Sequence, residues 1–322
     1  MYITIPDDYQ DAVRHLDCFH KLDGHQVRIY NDTIKDIGAL ADRLRETEAL
    51  VLIRERTAIT ETLLERLPKL RFISQTGRGI PHIDLAACTR RGVVVSGGGG
   101  SPYSTAELTW ALTLAAARHL PQEIANMKAG RWQHTLGIGF HGRTLGIFGY
   151  GKIGSLVAEY GRAFGMKILI WGRERSLAEG RAAGFETAVS QRDLFERSDV
   201  LSLHIKLSNE TRGIVTLADL TAMKPTSILV NTSRADLIER EALVTALRAG
   251  RPGYAAVDVY ESEPVYDHPL LHMDNALCTP HLGYVEKDSY ELYFDAVFEQ
   301  ILAYAAGHPI NILNPEALTR GS

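Results

Sequence analysis

Three short segments of the chain each carry a chemically active side chain directly after an apolar run. The first segment, residues 229–234, ends with Arg234. The second, residues 257–264, contains Asp258 and Glu263, and the third, residues 279–283, contains His281. Taken singly, such residues are typical of a surface charge, a turn or a structural hydrogen bond. Together, an arginine fork that binds a carboxylate and a histidine with an acidic partner can bind a small acid and move a proton on it.

A glycine-rich loop has the spacing of a phosphate cradle and follows the apolar run 145–148. Its sequence is Gly149-Tyr150-Gly151-Lys152-Ile153-Gly154. Gly149 permits a tight turn, Gly151 lets the backbone approach a pyrophosphate, and Gly154 lets a helix pack closely on the strand. The helix that opens here offers free N–H groups to phosphates. The loop therefore predicts a dinucleotide site that includes Lys152 and Ile153, and a glycine-rich turn that binds nothing is the alternative.

The end of the following strand bears on the choice of dinucleotide. An acidic residue that accepts from the ribose 2′-OH normally stands about 20 positions after the glycine loop. Gly172 occupies that place here, and Arg173 and Arg175 follow it. Two arginines suit a 2′-phosphate, which favours NADP(H). NAD(H) stays possible if Glu174 reaches the ribose and both arginines are solvated.

Alternating strands and helices position these segments. Apolar runs predict strands over 1–5, 26–30, 49–54, 70–76, 92–96, 144–149, 167–171, 200–204, 227–231, 255–259 and 276–279. Amphipathic stretches predict helices over 60–67, 83–91, 106–120, 156–164, 239–249 and 287–306, with Pro121 closing the third. This alternation indicates an α/β protein with two doubly wound parallel sheets. Because ligands lie outside the carboxyl ends of such strands, the three segments and the glycine loop face one crevice.

Four consecutive glycines, Gly97–Gly100, divide the chain and predict a loop that is a candidate hinge. We expect residues 101–289 to form the dinucleotide-binding domain. The helix at 287–306 lies beyond the second set of strands and is expected to return to the first domain. The substrate domain would then comprise residues 1–100 and 290–322.

The overall composition excludes several classes of protein. Among 322 residues, 45% are hydrophobic and 23% are charged, which is typical of a globular chain. A net charge of −4 predicts no nucleic-acid partner, and no apolar run approaches the roughly 18 residues of a membrane span. The three scattered cysteines, Cys18, Cys88 and Cys278, predict no disulfide framework and no metal site. They favour a cytoplasmic location.

Taken jointly, the motifs resemble the D-isomer-specific 2-hydroxyacid dehydrogenases, a family that includes phosphoglycerate dehydrogenases and glyoxylate/hydroxypyruvate reductases. The resemblance also rests on 77–80 with 82–84, on Ser104-Thr105-Ala106-Glu107 and on 311–318. It implies a Rossmann cofactor domain inserted in a flavodoxin-like substrate domain. It further implies hydride transfer between a nicotinamide cofactor and a small D-2-hydroxy or 2-keto acid, in a homodimer formed through the cofactor domain around 106–120.

The resemblance also assigns roles to single residues. Arg234 would hold the substrate carboxylate, and His281 would be the general acid in reduction and the base in oxidation. Glu263 would orient His281, and Asp258 would face the nicotinamide carboxamide. Backbone N–H groups expected to bind the substrate carboxylate belong to Arg78, Gly79 and Ile80. Further cofactor contacts are expected from Thr105, His204, Lys206 and Thr232.

Some positions depart from the family pattern. Ala235 replaces a usual glycine with little expected effect, and Lys206 replaces a usual proline and adds weakly to the case for NADP. Arg78 stands where smaller residues are common, so it either favours a substrate with a second negative charge or points outward. A dinucleotide-sensing binding protein similar to the family's corepressors is the main alternative function. Oxidation of phosphite is another, whereas Glu263 argues against formate, because formate dehydrogenases pair the histidine with glutamine.

Overall fold

The computed structural model describes residues 1–320, which divide into two α/β units. The first unit comprises Met1–Ser101 and the segment from Glu286 onward, and the second comprises Pro102–Val285. Each unit is built on one parallel sheet. This confirms the predicted class of two parallel-sheet α/β domains, and the helix at the end of the chain lies in the first unit.

The strands follow the apolar runs, with boundaries that differ by one or two residues. In the first unit they are β1 (Tyr2–Ile5), β2 (Gln26–Ile29), β3 (Ala49–Leu52), β4 (Phe72–Gln75) and β5 (Val94–Gly97). In the second unit they are β6 (Thr144–Phe148), β7 (Lys167–Trp171), β8 (Glu186–Thr187), β9 (Val200–Leu203), β10 (Ile228–Asn231), β11 (Tyr254–Val257) and β12 (Ala276–Cys278).

The helices lie between the strands, and several of them begin at polar capping residues. They are α1 (Ile37–Leu44), α2 (Glu61–Leu64), α3 (Leu85–Arg90), α4 (Tyr103–Ala117), α5 (Leu120–Lys128), α6 (Lys152–Ala163), α7 (Glu174–Ala182), α8 (Gln191–Arg197), α9 (Leu217–Ala222), α10 (Ala242–Arg248) and α11 (Lys287–Ala305). The side chains of Asp36, Thr60 and Asp84 accept from the first turns of α1, α2 and α3. Each thereby satisfies an N–H group that has no partner within its helix.

The first sheet has the strand order β2-β1-β3-β4-β5, which is the flavodoxin-like order. Strands β3, β4 and β5 are buried along their whole length, as continuous apolar runs predict for parallel strands covered on both faces. Helix α11 covers one face of β4, where Ser74 Oγ donates to Gln300 Oε1 over 2.7 Å.

The second sheet has the order β12-β11-β10-β9-β6-β7-β8. This is the doubly wound order of dinucleotide-binding sheets with one further strand, β12, at an edge. The chain places β7 and β8 on one side of β6 and β9 to β12 on the other, so the strand order reverses between β6 and β9. Two clusters of buried apolar side chains cover its faces, one centred on Leu201 and Leu229 and the other on Ile147 and Val230. The crevice at the reversal is the place where such a sheet binds its ligand.

Several element predictions were wrong in detail. Helix α4 ends at Ala117, because His119 takes a left-handed backbone conformation with φ of 48°. Pro121 then lies in the first turn of α5 and does not close α4, since the first turn of a helix tolerates a proline. Gly97 belongs to β5 and not to the loop, and it pairs with Gln75. The two-residue strand β8 was not predicted, because so short a run carries no periodicity.

Among the described residues, no helix is long and apolar enough to span a membrane. Over that same part of the chain, no three His, Cys, Asp or Glu side chains come together as a metal site.

Candidate active site

The parallel register brings the three chemically active segments to one edge of the second sheet. The last residues of β10, β11 and β12 are neighbours, with Asn231 paired to Val257 and Val257 to Cys278. Each strand runs directly into one segment, so Arg234, Asp258 and His281 follow three adjacent strand ends. This part of the predicted constellation is therefore assembled by strand order alone.

His281 and Glu263 form a direct pair. His281 Nδ1 lies 2.6 Å from Glu263 Oε2, and the second carboxylate oxygen accepts from the N–H of Tyr260 at 3.0 Å. Burial alone would raise the pKa of Glu263, but the hydrogen bond and charge of His281 outweigh it and lower that pKa. Glu263 is therefore ionised at neutral pH and accepts the Nδ1 proton, which leaves Nε2 to exchange a proton with a ligand.

Asp258 holds the backbone of the loop that carries His281, residues 279–283, called the histidine loop below. It is fully buried and accepts hydrogen bonds from Thr279 Oγ1 at 2.6 Å, from the Leu282 N–H at 2.7 Å and from the Gly283 N–H at 2.8 Å. Burial raises the pKa of Asp258. His281, at the centre of this loop, has a left-handed φ of 53°, which costs a non-glycine residue conformational energy. The three bonds to Asp258 enclose this strained turn and fix it.

Asn231 holds together the loop that carries Arg234, residues 231–234, called the arginine loop below. Asn231 accepts from the Ser233 N–H at 3.0 Å and donates to the carbonyl oxygen of Arg234 at 3.0 Å. The guanidinium Nη1 of Arg234 donates to the Ser233 carbonyl at 2.7 Å. The positive charge of Arg234 contributes to the lowered pKa of Glu263, so the arginine and the His281–Glu263 pair lie within electrostatic range of each other.

Helix α4 connects the histidine loop with the arginine loop through hydroxyl groups. Ser104 and Thr105 both donate to the carbonyl of Gly283, at 3.0 and 2.7 Å. One turn later, the buried Thr109 bonds Thr232 Oγ1 at 2.6 Å. These roles of Ser104, Thr109 and Asn231 were not predicted from the sequence. Hydroxyl residues four apart in an otherwise apolar helix were the available signal.

The glycine loop has the geometry of a phosphate cradle. Gly149 has φ of 98°, and a Cβ on Gly154 would lie 2.2 Å from the Gly149 carbonyl oxygen. A Cβ on Gly151 would meet no atom within 4 Å, and no side chain caps α6, which begins at Lys152. Two glycines are thus required by packing, and the third faces open space before uncapped N–H groups. These residues fit the pyrophosphate of a dinucleotide.

The residues predicted to contact the 2′-hydroxyl or 2′-phosphate of the dinucleotide follow β7. Gly172 has φ of 157°, and a Cβ there would lie 3.0 Å from Ser176 Cβ. Arg173 is the N-cap residue of α7, whereas Arg175 Nε is paired with Glu179 at 2.7 Å. Glu174 lies 3.5 Å from Arg181 in an exposed ion pair. The two arginines therefore have different surroundings at the start of α7, because Arg173 is the N-cap residue and Arg175, in the first turn, is paired with Glu179.

Two further predicted cofactor residues follow β9. His204 Nε2 bonds Ser202 Oγ at 2.8 Å, and burial lowers the pKa of His204 to about 3, so its imidazole is neutral. A Cβ on Gly149 would lie 2.7 Å from the His204 carbonyl, which places this backbone directly against the glycine loop. Lys206 is exposed, and its carbonyl accepts from Thr211.

The predicted substrate loop lies in the first unit, after β4. Gly77 has φ of 92°, Arg78 and Gly79 are exposed, and Ile80 is partly buried. Asp84, four residues after Ile80, caps α3, and the bridge between Ile59 and Ile83 holds the far end of the loop. The loop is therefore fixed at both ends.

A sequence model described as the NAD binding domain of D-isomer specific 2-hydroxyacid dehydrogenases matches residues 110–283. The chain belongs to this family. It is 36% identical over 294 residues to a glyoxylate reductase of Thermococcus litoralis, covering 88% of each chain. It is 37% identical over 265 residues to a D-3-phosphoglycerate dehydrogenase of Methanocaldococcus jannaschii, of which it covers 50%. A solved phosphoglycerate oxidoreductase of Vibrio cholerae superimposes with a TM-score of 0.93 at 52% identity, over 95% of this chain and 99% of that one.

Membership of the family establishes an oxidoreductase that acts on CH–OH groups and uses a nicotinamide cofactor. The Rossmann and flavodoxin-like folds expected from the sequence are confirmed.

Proposed function

We propose that this chain reduces small 2-keto acids to D-2-hydroxy acids and that His281 supplies the proton. The observation that carries the proposal is the 2.6 Å pair between His281 and the ionised Glu263, beside Arg234 at the edge of the cofactor sheet. When bound, the nicotinamide supplies or accepts the hydride. The protein's own task is then to hold the carboxylate and to exchange one proton at the substrate oxygen.

Each side chain has a separate part in this proposal. Arg234 binds the substrate carboxylate through its guanidinium, which also draws on the carbonyl oxygen beside it. His281 donates from Nε2 to the oxygen as it gains electrons, and Glu263 stabilises the ring and fixes its orientation. Backbone N–H groups of Arg78, Gly79 and Ile80 are proposed to bind the same carboxylate. Thr105, Thr232 and Asp258 stay predicted cofactor contacts.

For Asp258 the proposed contact with the carboxamide is compatible with its hydrogen bonds. Oδ1 already accepts two bonds and Oδ2 one, so Oδ2 keeps a further acceptor position. Asp258 would then serve both the histidine loop and the cofactor.

The substrates to test are the acids named for the relatives and their simpler analogues. Glyoxylate and hydroxypyruvate carry one negative charge, and a phosphorylated 2-keto acid carries more. We propose glyoxylate or hydroxypyruvate first, since the glyoxylate reductase relative matches this chain over 88% of its own length. The Vibrio cholerae phosphoglycerate oxidoreductase, 52% identical and covered over 99% of its chain, makes a phosphorylated acid the direct competitor. A higher kcat/KM for the phosphorylated acid would reverse this order and support the prediction that Arg78 recognises a second charge.

We further propose that NADP(H) is preferred. Gly172 offers no carboxylate to the ribose, its φ disfavours any side chain, and Glu174 is directed to Arg181. Arg173 lies at the start of α7, where uncapped N–H groups favour an anion. Both features suit a 2′-phosphate.

Arg173→Ser tests the NADP proposal. It should raise KM for NADPH by about tenfold, one charge-assisted contact, and leave KM for NADH nearly unchanged. Arg192→Ser is the matched control, an exposed helical arginine paired with Glu196 four residues on. Equal KM values for NADPH in wild type and Arg173→Ser, or a wild-type preference for NADH, would contradict the proposal.

A homodimer is proposed through the segment that follows α4. Much of α4 itself is buried in its own unit, but exposed apolar side chains follow it at Ile124, Met127, Trp132 and Leu136, the last 94% exposed. Apolar side chains gathered in this way are typical of an interface. Light scattering should give twice the chain mass for wild type and a lower mass for Trp132→Glu combined with Leu136→Glu. A monomeric wild type would contradict the proposal. The cytoplasmic location stays a prediction.

A further inference from the structure

One buried amide joins two loops of the first unit. Gln75 is the last residue of β4 and is 1% exposed. Its Nε2 lies 3.0 Å from the carbonyl oxygen of Arg54, which follows β3, and 3.3 Å from that of Gly79. It also lies 3.3 Å from the carbonyl of Thr76. Because Nε2 carries two hydrogens and faces three acceptors, the three contacts cannot each have a hydrogen of their own.

Hydrogen bonds of Arg54 and Thr76 join the same two loops. The N–H of Arg54 donates to Thr76 Oγ1 at 2.7 Å, and that hydroxyl donates to the Leu52 carbonyl at 3.0 Å. Arg54 has a left-handed φ of 54°, and Gly77 has φ of 92°. A Cβ on Gly77 would lie 2.2 Å from Arg54 Nη1, so the arginine side chain lies against the glycine. The two loops therefore meet in conformations that need support.

The amide of Gln75 is not explained by burial alone. Its Oε1 is buried and has no hydrogen-bond partner among residues 1–320. An unsatisfied buried acceptor costs free energy, so an apolar side chain would be preferred here if filling space were the only requirement. What an apolar side chain cannot provide is a donor to the carbonyls of Arg54 and Gly79.

We propose that Gln75 is a positioning residue that fixes the Arg78–Ile80 backbone for the substrate carboxylate. The proposal rests on the proposed function, in which this loop binds the substrate. Gly79 is the middle residue of that backbone, and Gln75 fixes the orientation of its carbonyl and hence of the peptide groups beside it. Loss of the Gln75 donor loosens the contact between this backbone and the substrate carboxylate, a contact that is the same in the bound substrate and in the transition state. Such a loss raises KM for the acid and leaves kcat little changed.

The test compares Gln75→Met with Ser74→Ala. Methionine keeps the length of the side chain and removes the donors, whereas Ser74 is buried one residue earlier and bonds Gln300 instead. For Gln75→Met, KM for glyoxylate or hydroxypyruvate should rise about five- to tenfold, with kcat and KM for the dinucleotide within about twofold of wild type. Ser74→Ala should leave all three values within about twofold.

Hydrogen exchange gives a second readout that does not need turnover. In Gln75→Met, amides of residues 76–82 should exchange faster than in wild type, while those of the other strands stay as protected. If Gln75→Met fails to fold at the assay temperature, Gln75→Leu, which also lacks both donors and carries no charge, serves the same comparison.

The proposal is overturned if KM for the acid is unchanged in Gln75→Met, or if kcat and both KM values change together. Unchanged exchange over 76–82 would overturn it as well. Failure of the proposed function looks different, because wild type would then reduce no keto acid, while the exchange comparison would still show whether Gln75 fixes the loop.

Discussion

Glu263→Gln removes a charge from the histidine pair while keeping the shape of the side chain. One carboxylate oxygen accepts from His281 Nδ1 at 2.6 Å and the other from the Tyr260 N–H at 3.0 Å. An amide has a single oxygen, so it can accept from only one of these groups. If that oxygen keeps Tyr260, the amide nitrogen donates to Nδ1, and the ring can no longer carry protons on both nitrogens. If it turns to His281, the amide nitrogen faces the Tyr260 N–H.

The size of the effect follows from the same contact. A hydrogen bond to a charged group contributes about 1.5–3 kcal/mol, and about 1.4 kcal/mol is a tenfold change in rate. The side chain of Glu263 is 34% exposed, so water competes for the contact and the lower half of that range applies. We therefore expect kcat/KM for a keto acid to fall about 10- to 40-fold in Glu263→Gln.

A matched control lies two residues earlier. Glu261 also pairs with a histidine, His268, at 3.3 Å, and has no part in the proposed proton transfer. Initial rates of keto-acid reduction should change less than about threefold in Glu261→Gln, as expected for an exposed pair. Equal loss of activity in both variants, or a Glu263→Gln enzyme that matches wild type across the pH range, would show that the carboxylate beside His281 does not assist reduction.

Three further predictions concern single residues. Arg234→Ala should abolish most keto-acid turnover and leave the dinucleotide Kd, measured by fluorescence titration, within about twofold; a collapse of dinucleotide binding would show that the arginine was assigned to the wrong ligand. His281→Ala should lower kcat by about 10²–10⁴-fold in stopped-flow or steady-state assays, and unchanged turnover would exclude it as the acid. Burial lowers the pKa of His82 to about 4, and neither of its ring nitrogens has a hydrogen-bond partner among residues 1–320. The unfolded chain, with an imidazole pKa near 6.5, therefore takes up the proton first as the pH falls. Urea unfolding should show the free energy of unfolding dropping by about 2 kcal/mol more between pH 7 and pH 5 in wild type than in His82→Asn, and parallel pH profiles would contradict this.

The fold could be predicted largely from local patterns. Buried parallel strands are nearly continuous apolar runs, so β3, β4 and β10 could be predicted from the sequence. The glycine loop was predictable for a similar reason, because local packing requires Gly149 and Gly154, while Gly151 leaves the approach to the helix N-terminus open. Pro121 was misplaced because proline both ends and begins helices, and only the left-handed His119 decides between the two.

Many contacts between distant segments could not be predicted from local patterns. Asp258 accepts from residues 21 to 25 positions further along the chain, on the neighbouring strand's loop. The bond between Thr109 and Thr232 spans 123 positions, and that between Gln75 and Arg54 spans 21. Such polar partners depend on strand order and register. These are set by the whole sheet and leave no periodicity at the residues themselves.

In the proposed function, keto-acid reduction depends on the His281–Glu263 pair and on Arg234. The most direct test is the initial rate of glyoxylate and hydroxypyruvate reduction by wild type and His281→Ala, with NADPH and NADH side by side, and with dinucleotide binding measured on both proteins. We expect turnover by wild type to the D-hydroxy acid, faster with NADPH, and binding without turnover in His281→Ala. Tight dinucleotide binding by wild type with no turnover of either acid, or of a wider panel, would contradict the claim and favour a dinucleotide-sensing protein.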